Sequence, residues 1–206
     1  FYGVSKIPEI DISNWETSGI KYARFAFAEM SMLSKFMAEN NSLAALTNAD
    51  GMFANDYELT KVVLGTAGSL VTASGMFNNC YELSSATIKN LVGASTTDIS
   101  YLMENCKKLS TLDISGWNPS NVVYAQSAFE NMTKLSALDT PVSFSLGNAK
   151  SIAEICKNDP VLSNTSIQSL IDALDGTALE DTYEAFYGCS NKFSTVDVSG
   201  VDFTNT

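Results

Sequence analysis

The sequence predicts an α/β solenoid, in which a parallel sheet of short strands is backed by short helices. Two observations indicate this fold. Large apolar residues recur about every 26 residues, and each repeat joins a strand-like half to a half with helical spacing. One short strand and one short helix cannot bury a core alone, so such repeats must stack. We expect about seven parallel strands, with neighbours ~4.8 Å apart.

The repeat is defined by its leading large apolar residue, which we call position zero. The leading residues are Phe1, Phe27, Phe53, Phe77, Met103, Phe129, Ile155 and Phe186. The sixth and ninth residues after position zero are apolar in most units. Because several columns stay in step, the sequence predicts a single array over residues 1–206. We expect a fragment of a longer array, since the chain enters at position zero and neither end shows a polar cap.

The strand half is clearest at Leu109, Leu112 and Ile114, a pattern that ends in alternation and predicts a short strand with one buried face. The outward strand positions would form the concave face of the sheet, which is the candidate binding surface. These positions are Glu9, Asp11, Lys61, Ser85, Thr87, Thr111, Asp113, Ala137, Asp139, Thr195 and Asp197.

The second half of the repeat is predicted to be helical. Val122, Ala125 and Phe129 fall near helical spacing, and Ser120 or Asn121 could cap that helix.

An irregular helical insertion is expected near residues 164–186. Ile167, Leu170, Ile171 and Leu174 share one helical face, and Gly176 would end that helix. A second helix, roughly Leu179 to Phe186, would follow. Insertions in one repeat usually fall on a loop or outer face of a solenoid.

The amino-acid composition disfavours several classes of partner and site. The net charge is −11, which disfavours nucleic-acid binding, because phosphate contacts need Lys and Arg. The chain contains no His, so the commonest general base and the commonest metal ligand are absent from the sequence. No apolar run is long enough to span a membrane. We therefore expect no metal, no cofactor, no nucleic-acid partner and no membrane insertion.

Cys80, Cys106 and Cys189 share the third position after position zero. Met30 and Met132 fill the same column, which indicates a core site where cysteine packs as a small hydrophobe. The alternative is a disulfide between Cys80 and Cys106, which lie in adjacent units.

Two other columns have competing interpretations. Asp11, Asp113, Asp139 and Asp197 either hydrogen-bond the backbone of the following turn or form an acidic stripe for cations or a basic partner. Trp15 and Trp117 either pack at a turn or anchor a ligand at the surface. We favour the structural interpretation in both columns, because repetition is typical of packing.

The columns from Met103 to Val122, and at Met76, Phe77, Cys80 and Leu83, resemble the BspA-like leucine-rich repeats of bacterial surface proteins. The resemblance covers nearly the whole chain. It implies a leucine-rich-repeat solenoid on a secreted or cell-anchored protein, associated with adhesion. Similar arrays occur in phage tail fibres, so the implied location is the cell surface or a virion surface. The family has no catalytic residues to transfer.

Three functions remain open from the sequence. The first is a non-enzymatic recognition or adhesion module that binds a protein or glycan receptor through the concave sheet face. The second is a structural spacer or stalk in a surface protein or phage tail fibre. The third, a carboxylate-based hydrolase, is disfavoured because the chain lacks His and a paired-carboxylate motif.

Overall fold

The computed structural model of the chain describes residues 1–39, 43–141, 143–174, 176–189 and 196–201. Within these residues the chain forms six strands of three residues each and one helix. In chain order they are β1 (Glu9–Asp11), β2 (Lys35–Met37), β3 (Lys61–Val63), β4 (Ser85–Thr87), β5 (Thr111–Asp113), β6 (Ala137–Asp139) and α1 (Asn164–Asp172).

The strands pair in parallel between successive repeats, which confirms the predicted solenoid. One sheet has the order β1-β2-β3-β4, and β5 pairs with β6. Residues at equivalent positions of successive repeats pair with one another, so Glu9 pairs with Lys35 and Lys35 with Lys61. The seventh expected strand would include Thr195, which lies outside the described residues.

Each strand is short because only its central residue enters the core. Ile10, Phe36 and Leu112 are buried at these centres, whereas most flanking strand residues are exposed or half-buried. At position zero the core contains a stack of aromatic rings. The Phe27 and Phe53 centroids are 5.7 Å apart, and those of Phe53 and Phe77 are 5.4 Å apart with nearly parallel planes. Such stacking extends the apolar core continuously from rung to rung.

A second ladder of single parallel bridges runs along the side of the solenoid away from the sheet. We call it the turn ladder. It joins Tyr22, Asn48, Thr72, Asp98, Tyr124, Ser151 and Asp181. This ladder also bridges the fourth and fifth repeats, where no strand pairing joins β4 to β5 among the described residues.

The predicted helix in each repeat is wrong; the segment after the turn ladder is a run of tight turns. Tyr101 (φ 59°) and Asn105 (φ 64°) adopt left-handed conformations, which an α-helix does not contain. The Tyr101 N–H donates to the Gln126 carbonyl of the next repeat at 2.9 Å. Asn121 likewise caps no helix, because its amide donates to the Ala94 carbonyl of the preceding repeat at 2.8 Å.

The insertion contains one helix, α1, rather than two. Ser163 caps α1, and its hydroxyl oxygen accepts the Ser166 N–H at 3.2 Å. The Ser166 hydroxyl accepts the Leu138 N–H at 3.0 Å, so α1 takes the place of a strand beside β6. The second expected helix, from 179 to 186, is wrong, because Asp181 joins the turn ladder and Glu184 has a φ of 47°.

Position zero of the seventh repeat is Cys156, not Ile155. In the regular repeats, left-handed residues lie two before and two after position zero, as at Ser127 and Asn131 around Phe129. In the seventh repeat the corresponding left-handed residues are Glu154 and Asn158, which flank Cys156. The sequence columns were therefore one residue out of step in this repeat.

Every change in repeat length falls on one arc of the solenoid. Equivalent backbone bonds link Lys21, Thr47 and Val71 before the turn ladder, and Ser34, Thr60 and Ser84 before the strands. Between these two columns the arc that contains position zero keeps one constant length. The other arc, from strand to turn ladder, is shorter from Thr60 to Val71 and longest from Ser163 to Glu180, where it contains α1.

Candidate functional site

The predicted binding residues lie on what we call the sheet face, the exposed sides of β1 to β6. The described members in strands are Glu9, Asp11, Lys61, Ser85, Thr87, Thr111, Asp113, Ala137 and Asp139. Asp197 is exposed but lies in no assigned strand, and Thr195 lies outside the described residues.

The sheet brings these residues together in two groups, because β4 and β5 are not paired among the described residues. In the first group, Glu9, Lys61 and Ser85 share one register column through Lys35. Asp11 and Thr87 share the next column. In the second group, Thr111 pairs with Ala137, and Asp113 pairs with Asp139.

Two ion pairs cross the sheet face. Lys35 Nζ lies 2.7 Å from Glu9 Oε1, and Lys89 Nζ lies 3.4 Å from Asp113 Oδ2. Their side chains are about half exposed, so each pair contributes little to stability. Lys35 was missed as a site residue, although it occupies the same register column as Glu9 and Lys61.

The aspartate column has the structural role that we favoured. The Asp11, Asp113 and Asp197 carboxylates accept N–H groups two residues later at 2.8 to 2.9 Å. Hydrogen bonds from the side chain and backbone of Ser13, Ser115 and Ser199 hold the pKa of these three carboxyls below its ordinary value. Asp139 differs because the residue two positions later is Pro141, which has no N–H.

The two tryptophans differ in environment. Trp117 is buried, and its Nε1 donates to the Ile88 carbonyl of the preceding repeat at 3.0 Å, which confirms packing at the turn. Trp15 is 50% exposed and lies 6.4 Å from the ring of Phe1.

The thiol column is buried and unpaired, so the disulfide alternative is wrong. Cys80, Cys106 and Cys189 are free, and each Sγ donates to the position-zero carbonyl of the preceding repeat. The Sγ–O distances are 3.2, 3.3 and 2.8 Å respectively. Burial raises the pKa of Cys189 to about 12 and raises that of the other two as well. These thiols are therefore inert at neutral pH.

The same column contains two buried carboxyls that the sequence interpretation missed. Asp56 and Asp159 are fully buried, and Oδ1 of each accepts a backbone N–H, from Met30 and Met132 respectively, at 2.7 Å. Oδ2 of each has no hydrogen-bond partner among the described residues. Burial raises the pKa of Asp56 to about 8 and that of Asp159 to about 9. Both carboxyls are therefore largely protonated at neutral pH.

A ladder of asparagines lies two residues after position zero. Its members are Asn55, Asn79, Asn105, Asn131 and Asn158, all with φ between 58° and 64°. The Asn79 amide donates to Asn55 and the Asn105 amide to Asn79, both at 2.9 Å. Asparagine tolerates the left-handed conformation, so this column suits its backbone. The recurrent Asn in the sequence was the signal that could have revealed these turns.

A trough of about 540 Å³ lies beside the turn ladder, and no sequence interpretation identified it. Its floor includes Gly51 and Gly75, two residues before position zero, and Phe25 and Tyr101 occupy the same column on either side. Its polar lining residues include Arg24, Asp50, Asn78, Asp98 and Glu104. The trough therefore combines exposed aromatic rings with an excess of carboxylates.

Among the described residues, no cluster of three His, Cys, Asp or Glu side chains could hold a metal ion. None of the helices in that part of the chain is long and apolar enough to cross a membrane.

The fold and its surfaces define a parallel repeat solenoid with exposed polar and aromatic columns. The chain belongs to the family described as Mycoplasma protein of unknown function, DUF285, whose profile matches residues 1–67 and 66–169. No curated protein matches the chain. Among solved structures, an internalin from Listeria monocytogenes is similar at 13% identity and a TM-score of 0.22, covering 93% of this chain and 68% of that one.

Proposed function

We propose that this chain is a non-enzymatic recognition module that binds a protein or glycan through the sheet face. The observation that supports this proposal is the fixed register of the strands. Along one column the exposed side chains change from Glu9 to Lys35, Lys61 and Ser85, on a backbone that the ladder holds in place. A pre-ordered surface loses little conformational freedom on binding, which favours recognition.

The groups with unusual acid–base properties do not suit catalysis. Asp56 and Asp159 are buried, and the thiols of Cys80 and Cys106 are buried with raised pKa values. A catalytic group must reach the substrate, which these positions prevent. The resemblance to BspA-like repeats supports a location of the proposed module on a cell surface or a virion.

A spacer or stalk is the second candidate, and the continuous ladders favour it. The turn ladder, the stacked rings of Phe27, Phe53 and Phe77, and the asparagine ladder all run along the array. Such an array resists bending because each repeat bonds to its neighbours. A spacer would need no particular side chains on the sheet face, and this difference separates the two functions.

The test is a pair of charge reversals on the sheet face, Asp113→Lys with Asp139→Lys. These residues pair directly across β5 and β6, and Asp113 contacts Lys89. The purified variant and the wild type would be compared on a protein array and a glycan array. We expect the variant to lose the interactions of the wild type. Bulky replacements at Thr111 and Ala137, which also pair directly, should have the same effect.

A matched control is the double reversal Glu58→Lys with Glu82→Lys. These residues lie in adjacent repeats outside the strands, and Glu82 contacts Lys108 at 3.8 Å, so the charge change is comparable. Circular dichroism would confirm that all variants fold. If the wild type binds nothing, or if the sheet-face variants bind as well as the control, the spacer function is supported instead.

A further inference from the structure

We propose that the trough between Phe25 and Tyr101 binds a lysine- or arginine-containing segment of a partner protein. This site lies beside the turn ladder, away from the sheet face, so it does not depend on the function proposed above.

The shape of the trough comes from two glycines in a left-handed column. Phe25, Gly51, Gly75 and Tyr101 have φ values between 52° and 60° and follow one another rung by rung. The ring of Phe25 lies over Gly51, where an added Cβ would overlap a ring carbon. Over Gly75 an added Cβ would meet only Asn78, at 3.7 Å. One rung is therefore open between the Phe25 ring over Gly51 and Tyr101, and at ~4.8 Å per rung these two positions are about 10 Å apart.

The walls suit a cation with an apolar stem. Phe25 is 41% exposed and Tyr101 is 42% exposed, so both rings offer surface to a ligand. The Arg24 guanidinium already lies 5.1 Å from the centroid of the Phe25 ring. Elsewhere on the same side of the solenoid, Lys107 lies 5.1 Å from the ring of Tyr81. Rings on this surface thus already contact cations, and the stems of lysine and arginine pack well on aromatic faces.

The charge of the trough is complementary to a basic segment. Asp50, Asp98 and Glu104 line it, against the single cation Arg24. The carboxylates are fixed in place, since Asp50 accepts the Ser74 N–H and Asp98 accepts the Ser100 N–H. Partial burial raises the pKa of Glu104, and repulsion from Glu130 and Glu154 raises it further. A bound cation would relieve this repulsion.

An unsatisfied buried hydroxyl lies next to Tyr101 at one end of the trough. Ser100 is 2% exposed, and its Oγ has no hydrogen-bond partner among the described residues. Ser100 shares a column with Arg24, Asp50 and Ser74 but is not itself one of the residues that line the trough. A lysine ammonium has three N–H donors and could donate to the carboxylates that do line it. A neutral sugar would gain nothing from the excess negative charge.

The test uses a short fluorescent peptide of alternating lysine and serine and its lysine-acetylated twin, with anisotropy as the measurement. We expect the lysine peptide to bind the wild type at least about tenfold more tightly than the acetylated one, because acetylation removes the cation. Gly75→Tyr should weaken binding by a similar factor by filling the trough. This variant should fold, because Tyr101 occupies the equivalent position at nearly the same φ, 59° against 60°.

Two further variants keep the outcome decisive. Glu104→Gln should weaken binding several-fold, and Tyr101→Ser, which copies Ser127 in the same column, should do the same without filling the trough. The control Gly19→Tyr adds the same side chain where a Cβ would contact nothing within 4 Å, and it should bind as the wild type does. Equal binding of the two peptides would overturn the proposal. The proposal would also be overturned if a neutral oligosaccharide bound the wild type and Gly75→Tyr abolished that binding, since the trough would then be a glycan site.

Discussion

The buried carboxyl of Asp56 makes the stability of the solenoid fall as pH rises. Its pKa is about 8 in the folded chain against an ordinary value of 3.8, and that of Asp159 is about 9. A raised pKa means that the folded state binds the proton more tightly than the unfolded state. The stabilisation is therefore complete below about pH 4 and is lost as the pH rises through about 8 to 9.

The magnitude follows from the size of the shift. Each unit of pKa difference corresponds to about 1.4 kcal/mol. Between about pH 4 and the folded-state pKa, each carboxyl therefore lowers the free energy of unfolding by about 1.4 kcal/mol per pH unit. At pH 7 the loss for Asp56 alone reaches about 4 kcal/mol as an upper bound. Asp56→Asn removes the ionisation and keeps an oxygen that can accept the Met30 N–H. Its amide N–H₂ can also donate at the site that the thiols of Cys80 and Cys106 use in their own repeats.

We therefore expect Asp56→Asn to be more stable than the wild type at pH 7 and about equally stable at pH 4. Urea unfolding followed by circular dichroism between pH 4 and pH 8 would measure the difference. Asp159→Asn should behave alike, and the double variant should flatten the pH dependence further. Asp11→Asn is the control: its pKa is lowered, so its stabilisation is lost only as the pH falls, and it should give no gain at pH 7. Parallel curves for the wild type and Asp56→Asn would refute this reasoning.

Three further predictions concern packing and turns. Cys106→Ala should lower the free energy of unfolding by about 1–2 kcal/mol, as small core truncations do, with or without reductant, because the thiol is free. Trp117→Phe should cost about 0.5–1.5 kcal/mol by removing the Nε1 hydrogen bond to the Ile88 carbonyl, which keeps its bond from the Leu91 N–H, whereas Trp15→Phe should cost less at its exposed position; thermal unfolding would compare them. Asn105→Ala should cost about 1–2 kcal/mol more than Asn105→Gly, because only glycine accepts a φ of 64° freely, and equal losses would show that the ladder bonds dominate.

The sequence was sufficient for the solenoid and the strands, because both follow from the burial of one apolar residue per rung. The two-residue spacing of Leu112 and Ile114 has the period of a strand with one buried face, and the structure forms β5 there. The thiol column was also predictable, because cysteine and methionine alternate in it and share apolarity, which is typical of a core position.

The turns could not be predicted from apolar spacing alone. Val122, Ala125 and Phe129 are buried at helical intervals, but a pair of tight turns places side chains in the core at the same intervals. The difference is in the backbone: left-handed residues such as Asn105 and Gly75 recur at fixed columns, and their types were the available signal. Asp159 was missed for a related reason, since taking Ile155 as position zero moves it out of the thiol column.

The candidate site was predictable only in part. Alternation correctly placed Glu9, Asp11 and Thr111 on the exposed side of their strands. The trough depends on the ring of Phe25 lying over Gly51 and on the absence of a side chain at Gly75, and neither fact is visible in the apolar pattern. A polar surface has no periodicity of its own, so its composition emerges only when the rungs are stacked.

Because one arc of the solenoid has a constant length, changes in chain length are confined to the other arc. Between the columns of Val71 and Ser84 every repeat keeps the same chain length, while the arc from strand to turn ladder has absorbed both a shortening after Thr60 and the helix after Ser163. A new loop or a foreign peptide inserted near 142 should therefore leave the rest of the array in step, whereas one extra residue near Asn105 should shift every later rung. Natural length changes and engineered insertions are therefore limited to the same arc, whose two ends are set by the hydrogen-bonded backbone columns.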